Sequence, residues 1–222
     1  AEEAEIEITQ LHGPFRIPPK DLEESDRQER MEKMIRSIQA AALLGCRYWV
    51  IHPLMPYGIA DKEIKKEEAT RNINIEFMKE LLITAKKYDV VICLENMPYQ
   101  SFSLAHPKEV DRFVRSMADE HFKMCLDTGH AFVLPDGNPA EMMRRYGENI
   151  KVLHVHDNNG RMDQHLIPYF GQIDWKDFYK ALQEMGFEGD FSLETEPSRR
   201  LPLPLYEEMC RFMAKVACAI CS

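Results

Sequence analysis

The stretch KVLHVHDNNGRMDQH, from Lys151 to His165, gathers His154, His156 and His165 with Asp157 and Asp163 in one short segment. Imidazole nitrogens and carboxylate oxygens are the donors that divalent cations take from proteins, and neutral histidine is prominent among them. The opening reads as a strand from Lys151 to His156. Ile150, Val152, His154 and His156 then share one face, because side chains alternate along extended backbone. Asp157 to Gln164 carries glycine and asparagine and reads as a loop. One buried histidine is most simply a core residue bonded to a neighbour's backbone. A cluster at a strand end raises metal binding instead, and the remaining donors of the chain have to decide.

Similar donors close every other strand-like run. EIEITQLH ends in His12, RYWVIHP carries His52, VVICLEN carries Glu95, FKMCLDTGH carries Asp127, IKVLHVHD carries His154 and FSLETE carries Glu194. Any one of them is a cheap polar residue at a strand end. All of them together, delivered to one end of a parallel sheet, predict a shared metal site at that end.

The elements between them have helical period. Ser25 and Gln28 form a capping-box pattern ahead of Met31, Met34, Ile35, Ile38 and Ala42, with Gly45 as the stop. Ile73, Phe77, Leu81 and Ala85 mark a second helix. Pro107 and Pro139 stand where first-turn prolines stand, the latter behind an Asn138 cap. Asp174 opens a helix with Trp175, Phe178, Leu182 and Met185 facing inward, and Leu205 to Cys221 is helical again. Strands alternating with helices predict an α/β fold with a parallel sheet, at a spacing near the roughly 30-residue unit of a (β/α)8 barrel. The rival, a doubly wound open sheet, usually carries a glycine-rich first turn, and no such motif occurs. Val91, Cys93 and Glu95 share a face, as do Cys125 and Asp127, and Ser192 and Glu194. Small groups ending in a carboxylate suit a barrel interior.

At 222 residues the chain is expected to form a single domain, 1–222. No apolar run is long enough to cross a bilayer and no signal-peptide pattern is present, so no membrane partner is expected. A net charge of −9 argues against broad binding to nucleic acid, although bound divalent ions would offset part of it. Cys46, Cys93 and Cys125 lie in apolar runs and read as buried reduced thiols of a cytoplasmic protein. Cys218 and Cys221 are one helical turn apart with no second pair, which is poor for zinc.

The set IHP, LEN, LDTGH, HVHD, the D-x-H of Asp163 and His165, and SLETE resembles the xylose-isomerase-like TIM barrels, from Ile6 to about Glu196. That superfamily holds sugar isomerases and epimerases and the endonuclease IV group. The resemblance implies a (β/α)8 TIM barrel in which EIEITQLH matches the third strand and AEEAE the tail of a helix. Either the first one or two β/α units are missing from this chain, or the barrel is open on that side and exposes strand edges for a partner to cover; a homo-oligomer is one such arrangement. It also implies that Glu95, Asp127, His154 and Glu194 hold one divalent ion (Mn, Zn, Mg or Co), with Glu95 and Glu194 moving protons and His130 touching substrate. In endonuclease-like members, His12, His52, His130, Asp163 and His165 join those four around up to three zinc ions. His156 is left with a structural role.

Two activities follow. The leading expectation is an isomerase or epimerase of a small sugar or related polyol ketone in carbohydrate metabolism, transferring a proton through a metal-stabilised enediolate. The alternative is multi-zinc phosphoester hydrolysis resembling endonuclease IV. Against the latter stand the acidic charge and the aromatic and apolar residues of HPLMPYG, ENMPYQSF and GHAFVLPDG, which suit a small-molecule pocket. A metal that only staples the fold is the non-catalytic possibility.

Overall fold

A computed structural model describes residues 3, 5–16, 19, 21–195 and 197–221. The helix tail expected at AEEAE lies largely outside them. In chain order the elements are β1 (Gln10–His12), α1 (Glu24–Leu43), β2 (Tyr48–Ile51), α2 (Ile64–Lys87), β3 (Val91–Glu95), α3 (Pro107–Met117), β4 (Phe122–Asp127), α4 (Thr128–Phe132), α5 (Pro139–Tyr146), β5 (Ile150–His154), α6 (Trp175–Glu184) and α7 (Leu203–Ile220). The strands form one parallel sheet in the order β1-β2-β3-β4-β5, each paired with its sequence neighbour.

Alternation along the strands separates two apolar layers. Val50, Val91, Cys93, Cys125 and Val152 form a small cluster on the concave face. Trp49, Ile51, Ile92, Leu94, Met124, Leu126 and Leu153 face the helices and join the main core with Met34, Ile38, Met78, Leu81, Phe113 and Phe178. The sheet is strongly curled. With strands about 4.8 Å apart, β1 and β5 would lie roughly 19 Å from each other in a flat sheet. The rings of His12 on β1 and His154 on β5 instead stack with centroids 5.7 Å apart. Together with the helices on its convex side, this makes a half-barrel.

Helix ends are built to hand the chain to the next strand. Past α1, Cys46 N–H donates to Ala41 O and Gly45 N–H to Ala42 O, with Gly45 at φ 70°. Past α2, Val90 and Asp89 repeat the pattern onto Ala85 and Lys86, with Asp89 at φ 53°. Past α6, Phe187 and Gly186 do so onto Leu182 and Gln183, with Gly186 at φ 59°. These are Schellman closures, in which a left-handed residue satisfies the last carbonyls and turns the backbone out of the helix. Asn138 caps α5 by accepting from Ala140 N and Glu141 N, as expected.

Four expectations need correction. EIEITQLH is strand only at its last three residues. Among its described residues FSLETE forms no strand: Leu193 makes an isolated parallel bridge to Val155, held by Val155 N–H to Ser192 O and Glu194 N–H to Val155 O. The Ser25–Gln28 capping box is absent, because α1 starts two residues earlier than that box requires, at Glu24, and its cap position, Glu23, makes no side-chain bond. Met185 does not pack inward, since it is the C-cap residue of α6 and is exposed.

Candidate metal centre

Parallel strands bring their C-terminal ends to one rim. His12, Glu95, Asp127 and His154 are the last residues of β1, β3, β4 and β5; His52 directly follows β2, and Glu194 directly follows the Leu193 bridge. Every residue expected at the site arrives there, in adjoining groups whose donor atoms lie within 4.8 Å of one another: His12, His52 and Glu95; Glu95, Asp127, His154 and Glu194; His130, His156, Asp163 and His165; and, with a thiol not expected there, Glu95, Cys125 and His154. Glu95 belongs to three of these groups. His12 Nε2 lies 3.1 Å from Glu95 Oε2 and 3.2 Å from His52 Nε2. His154 Nδ1 lies 3.2 Å from Glu95 Oε1 and 3.1 Å from Glu194 Oε2.

The motif LDTGH assigns a separate task to each residue. Asp127 caps α4, its Oδ1 accepting from His130 N at 2.6 Å, which fixes the carboxylate and sets His130 one turn above it. The Thr128 hydroxyl donates to His156 O and accepts from His156 N, tying the end of β4 to the chain just beyond β5. Gly129 makes room, because a Cβ there would stand 2.0 Å from the His156 ring. His130 turns its Nδ1 to Asn96 O at 2.9 Å and its Nε2 towards Asp163, 3.3 Å away.

Asp163 and His165 come from the loop after β5. His165 sits at φ 47°, a left-handed conformation uncommon for a residue with a side chain. It is clamped there by His165 Nδ1 to Glu194 O at 2.8 Å and Thr195 Oγ1 to His165 O at 2.6 Å.

Charge in the centre is mutually sustained. Burial disfavours ionisation of Glu95, but the imidazoles of His154 and His52 and a hydrogen bond with His12 outweigh it and hold the carboxyl well below its ordinary range. Burial is likewise outweighed at Asp127 by His130 and His156. His130 is held well above its ordinary value, the pull of Asp127 and Asp163 overcoming burial. Hydrogen bonding to Asp163 lifts His165 to about 9. His52 moves the other way, pushed down by burial.

Three buried atoms show what the centre is shaped for. Glu95 Oε1, His154 Nδ1 and Glu194 Oε2 have no hydrogen-bond partner, although the two oxygens stand only 3.2 and 3.1 Å from His154 Nδ1. Buried polar atoms are nearly always paired. Donor atoms that converge without bonding each other are arranged around a common point, and carboxylate oxygens with one imidazole nitrogen fit a hard-to-borderline divalent cation. The residues therefore fit a metal ion.

Sequence reasoning gave no role to three supports. Asn96 accepts from Asp127 N–H and donates to Asp127 O, extending the β3–β4 ladder beyond Glu95 with a side chain. Arg30 donates to His52 O at 2.8 Å while paired with the buried Asp21. Asp157 is fully buried and accepts from the backbone N–H of Asn158, Tyr169, Gln172 and Ile173 and from Trp175 Nε1, so it anchors both flanks of the loop carrying Asp163 and His165. A backbone accounting of the HVHDNNG segment could have flagged Asp157, since a loop this close to the core needs an acceptor.

The chain matches the xylose isomerase-like TIM barrel family over residues 1–216 and belongs to it. An uncharacterised protein of Methanocaldococcus jannaschii is 30% identical over 200 residues, covering 88% of this chain and 66% of that one. The D-psicose 3-epimerase of Enterocloster bolteae is 29% identical over 135 residues, 60% of this chain and 41% of the epimerase. A probable endonuclease 4 of Mycoplasmopsis agalactiae is 23% identical over 168 residues, 70% of this chain and 55% of its own length. The chain thus spans about two thirds or less of each of these relatives. Among solved structures, a D-tagatose 3-epimerase-like protein superposes with a TM-score of 0.77 at 24% identity, covering 100% of this chain and 82% of that one. The IOLI protein with a binding zinc atom also gives 0.77, at 21% identity, covering 96% and 76%. At these identities the two structures share the fold.

Proposed function

We propose that the protein is a divalent-metal-dependent isomerase or epimerase of a small sugar or related polyol ketone. The observation that carries this reading is the convergence of Glu95, Asp127, His154 and Glu194 with unpaired donor atoms at the rim of the half-barrel. The relation to a sugar epimerase supports it. A cation held by those four residues, with manganese, zinc, magnesium and cobalt all compatible with the donors, would polarise a carbonyl and stabilise the charge left when an adjacent C–H proton departs.

The protein's own groups supply the rest. Glu95 is buried and ionised, able to accept a proton from substrate carbon inside the centre. Glu194 is partly open, with a side chain 38% exposed, and is suited to exchange a proton with solvent or return one to the opposite face. His130, whose Nδ1 is engaged by Asn96 O, directs Nε2 into the site and can hold a substrate oxygen. Beside His52 a cavity of about 100 Å³, lined by Phe15, Arg16, Arg30, Pro53 and Met55, has room for one arm of a small substrate.

The test is solvent-deuterium incorporation at the carbon next to the carbonyl of a ketohexose panel, with added Mn2+. Exchange should occur with the wild-type chain and be lost with Glu95→Gln while the melting curve stays cooperative. Exchange that survives Glu95→Gln removes Glu95 as the base; no exchange with any ketose removes the reading.

A second reading, metal-assisted phosphoester hydrolysis, is favoured by the two flanking donor groups, which add His12, His52, His130, Asp163 and His165 around the same carboxylates. The net charge of −9 weighs against a polyanionic substrate. Metal analysis separates the two: one ion per chain favours proton transfer, whereas three zinc ions with chelator-sensitive cleavage of an abasic oligonucleotide favour hydrolysis.

A further inference from the structure

His156 lies inside the centre, yet its Nδ1 is used differently from that of three neighbouring rings. In His12, His130 and His165, Nδ1 faces a backbone oxygen, of Gly13 at 2.6 Å, Asn96 at 2.9 Å and Glu194 at 2.8 Å. A carbonyl can only accept, so Nδ1 carries a proton in these rings, while their Nε2 atoms face Glu95 or Asp163 at 3.1–3.4 Å. The fully buried His156 instead sets Nε2 3.0 Å from both oxygens of Asp127, while its Nδ1 is buried with no partner. A proton on Nδ1 would leave a buried N–H unpaired, a cost the other three rings avoid through their backbone acceptors. Placing the proton on Nε2 satisfies Asp127 and leaves only a lone pair unmet. A nitrogen so protonated cannot ligate.

We infer that His156 is a positioning residue rather than a fourth member of the His130, Asp163 and His165 group: it donates Nε2–H to the Asp127 carboxylate and holds it in place beside Glu95, His154 and Glu194. The supporting contacts are specific to this ring. Thr128 grips the His156 backbone from both sides, Gly129 vacates the space the ring occupies, and His165 stacks on it at 3.9 Å with planes 11° apart. The inference rests on the metal-site reading above, but its first test does not.

Two-bond 1H–15N correlation spectra of the metal-free protein, labelled at histidine nitrogens, should show His156 as the Nε2–H tautomer. Addition of Zn2+ should leave His156 Nε2 protonated. An Nδ1–H tautomer at His156, or loss of its Nε2–H on adding Zn2+, overturns the assignment and makes the ring a ligand. Mn2+ titration provides the second test. His156→Leu should weaken binding by about 10–100-fold, whereas His156→Gln, which keeps an N–H at comparable reach, should recover most of it. Equal affinity in His156→Leu and wild type, or no recovery in His156→Gln, refutes the positioning role. Should His156→Leu fail to fold, the tautomer spectra and the Gln variant decide. A wild-type chain that binds no divalent ion would sink the proposed function, while the metal-free spectra would still judge His156.

Discussion

Gly129 carries little chemistry of its own, yet it sits where β4, α4 and the His156 ring meet. Gly129→Ala would press a methyl group onto that ring, and the motif offers no slack because Asn158 Nδ2 also holds Gly129 O at 2.9 Å. Overpacking of this kind costs about 1–3 kcal/mol. The expected result is a lower denaturation midpoint together with weaker Mn2+ binding, since His156 would be pushed off Asp127; an unchanged midpoint would show that the ring can yield. At this scale the sequence was informative about donors and silent about supports. His12, His52, Glu95, Asp127 and His154 were readable because strand ends in a parallel sheet share a rim. Asn96, Asp157 and Arg30 were not, because each acts by completing a neighbour's hydrogen bonds, and that need exists only once the backbone has been placed.

Elements were legible where a local rule decides them. Gly45 marked the stop of α1 because a left-handed turn favours glycine, and Asn138 marked the start of α5. Asp89 makes the same left-handed turn past α2 without a glycine to announce it. FSLETE has strand composition, but pairing is a tertiary matter, and a single bridge to Val155 is what the described neighbours allow. Between α5 and α6, Arg144 bridges Asp177 at 2.6 Å and Glu184 at 2.6 Å. Hydrogen bonds from Arg144 hold both carboxyls below their ordinary values of 3.8 and 4.5. Carboxyls depressed in the folded state stabilise it above their unfolded pKa and lose that contribution as pH falls through the folded value. Arg144→Gln should therefore lower the melting temperature slightly at pH 7 and progressively less below about pH 4, with the two curves merging in acid. The bridge is exposed, so the effect is small. A difference that persists unchanged at pH 2 would assign the role of Arg144 to packing.

For the whole molecule, a cation held among the buried carboxylates and unpaired donors of the proposed centre would link folding to its binding. An ion present at a hundred times its dissociation constant adds about 2.7 kcal/mol, or roughly 5–10 °C in melting temperature for a domain of this size. Mn2+ or Zn2+ should raise the melting temperature by such an amount and EDTA should reverse it; a melting curve indifferent to both would count against a resident ion. Among the described residues no helix is long and apolar enough to cross a membrane, as the hydropathy of the sequence indicated. The half-barrel was legible as a rhythm of strands and helices, but its curl was not, because twist accumulates through pairing rather than through composition. The concave lining has one more consequence. Cys93 and Cys125 are sealed beneath the donors and Cys46 beneath α1, whereas Cys210, Cys218 and Cys221 lie open. A thiol-reactive dye should thus label three sulfurs at once and the other three only as the fold opens, so that the slow phase becomes a built-in clock for unfolding, one that a tightly held cation ought to retard.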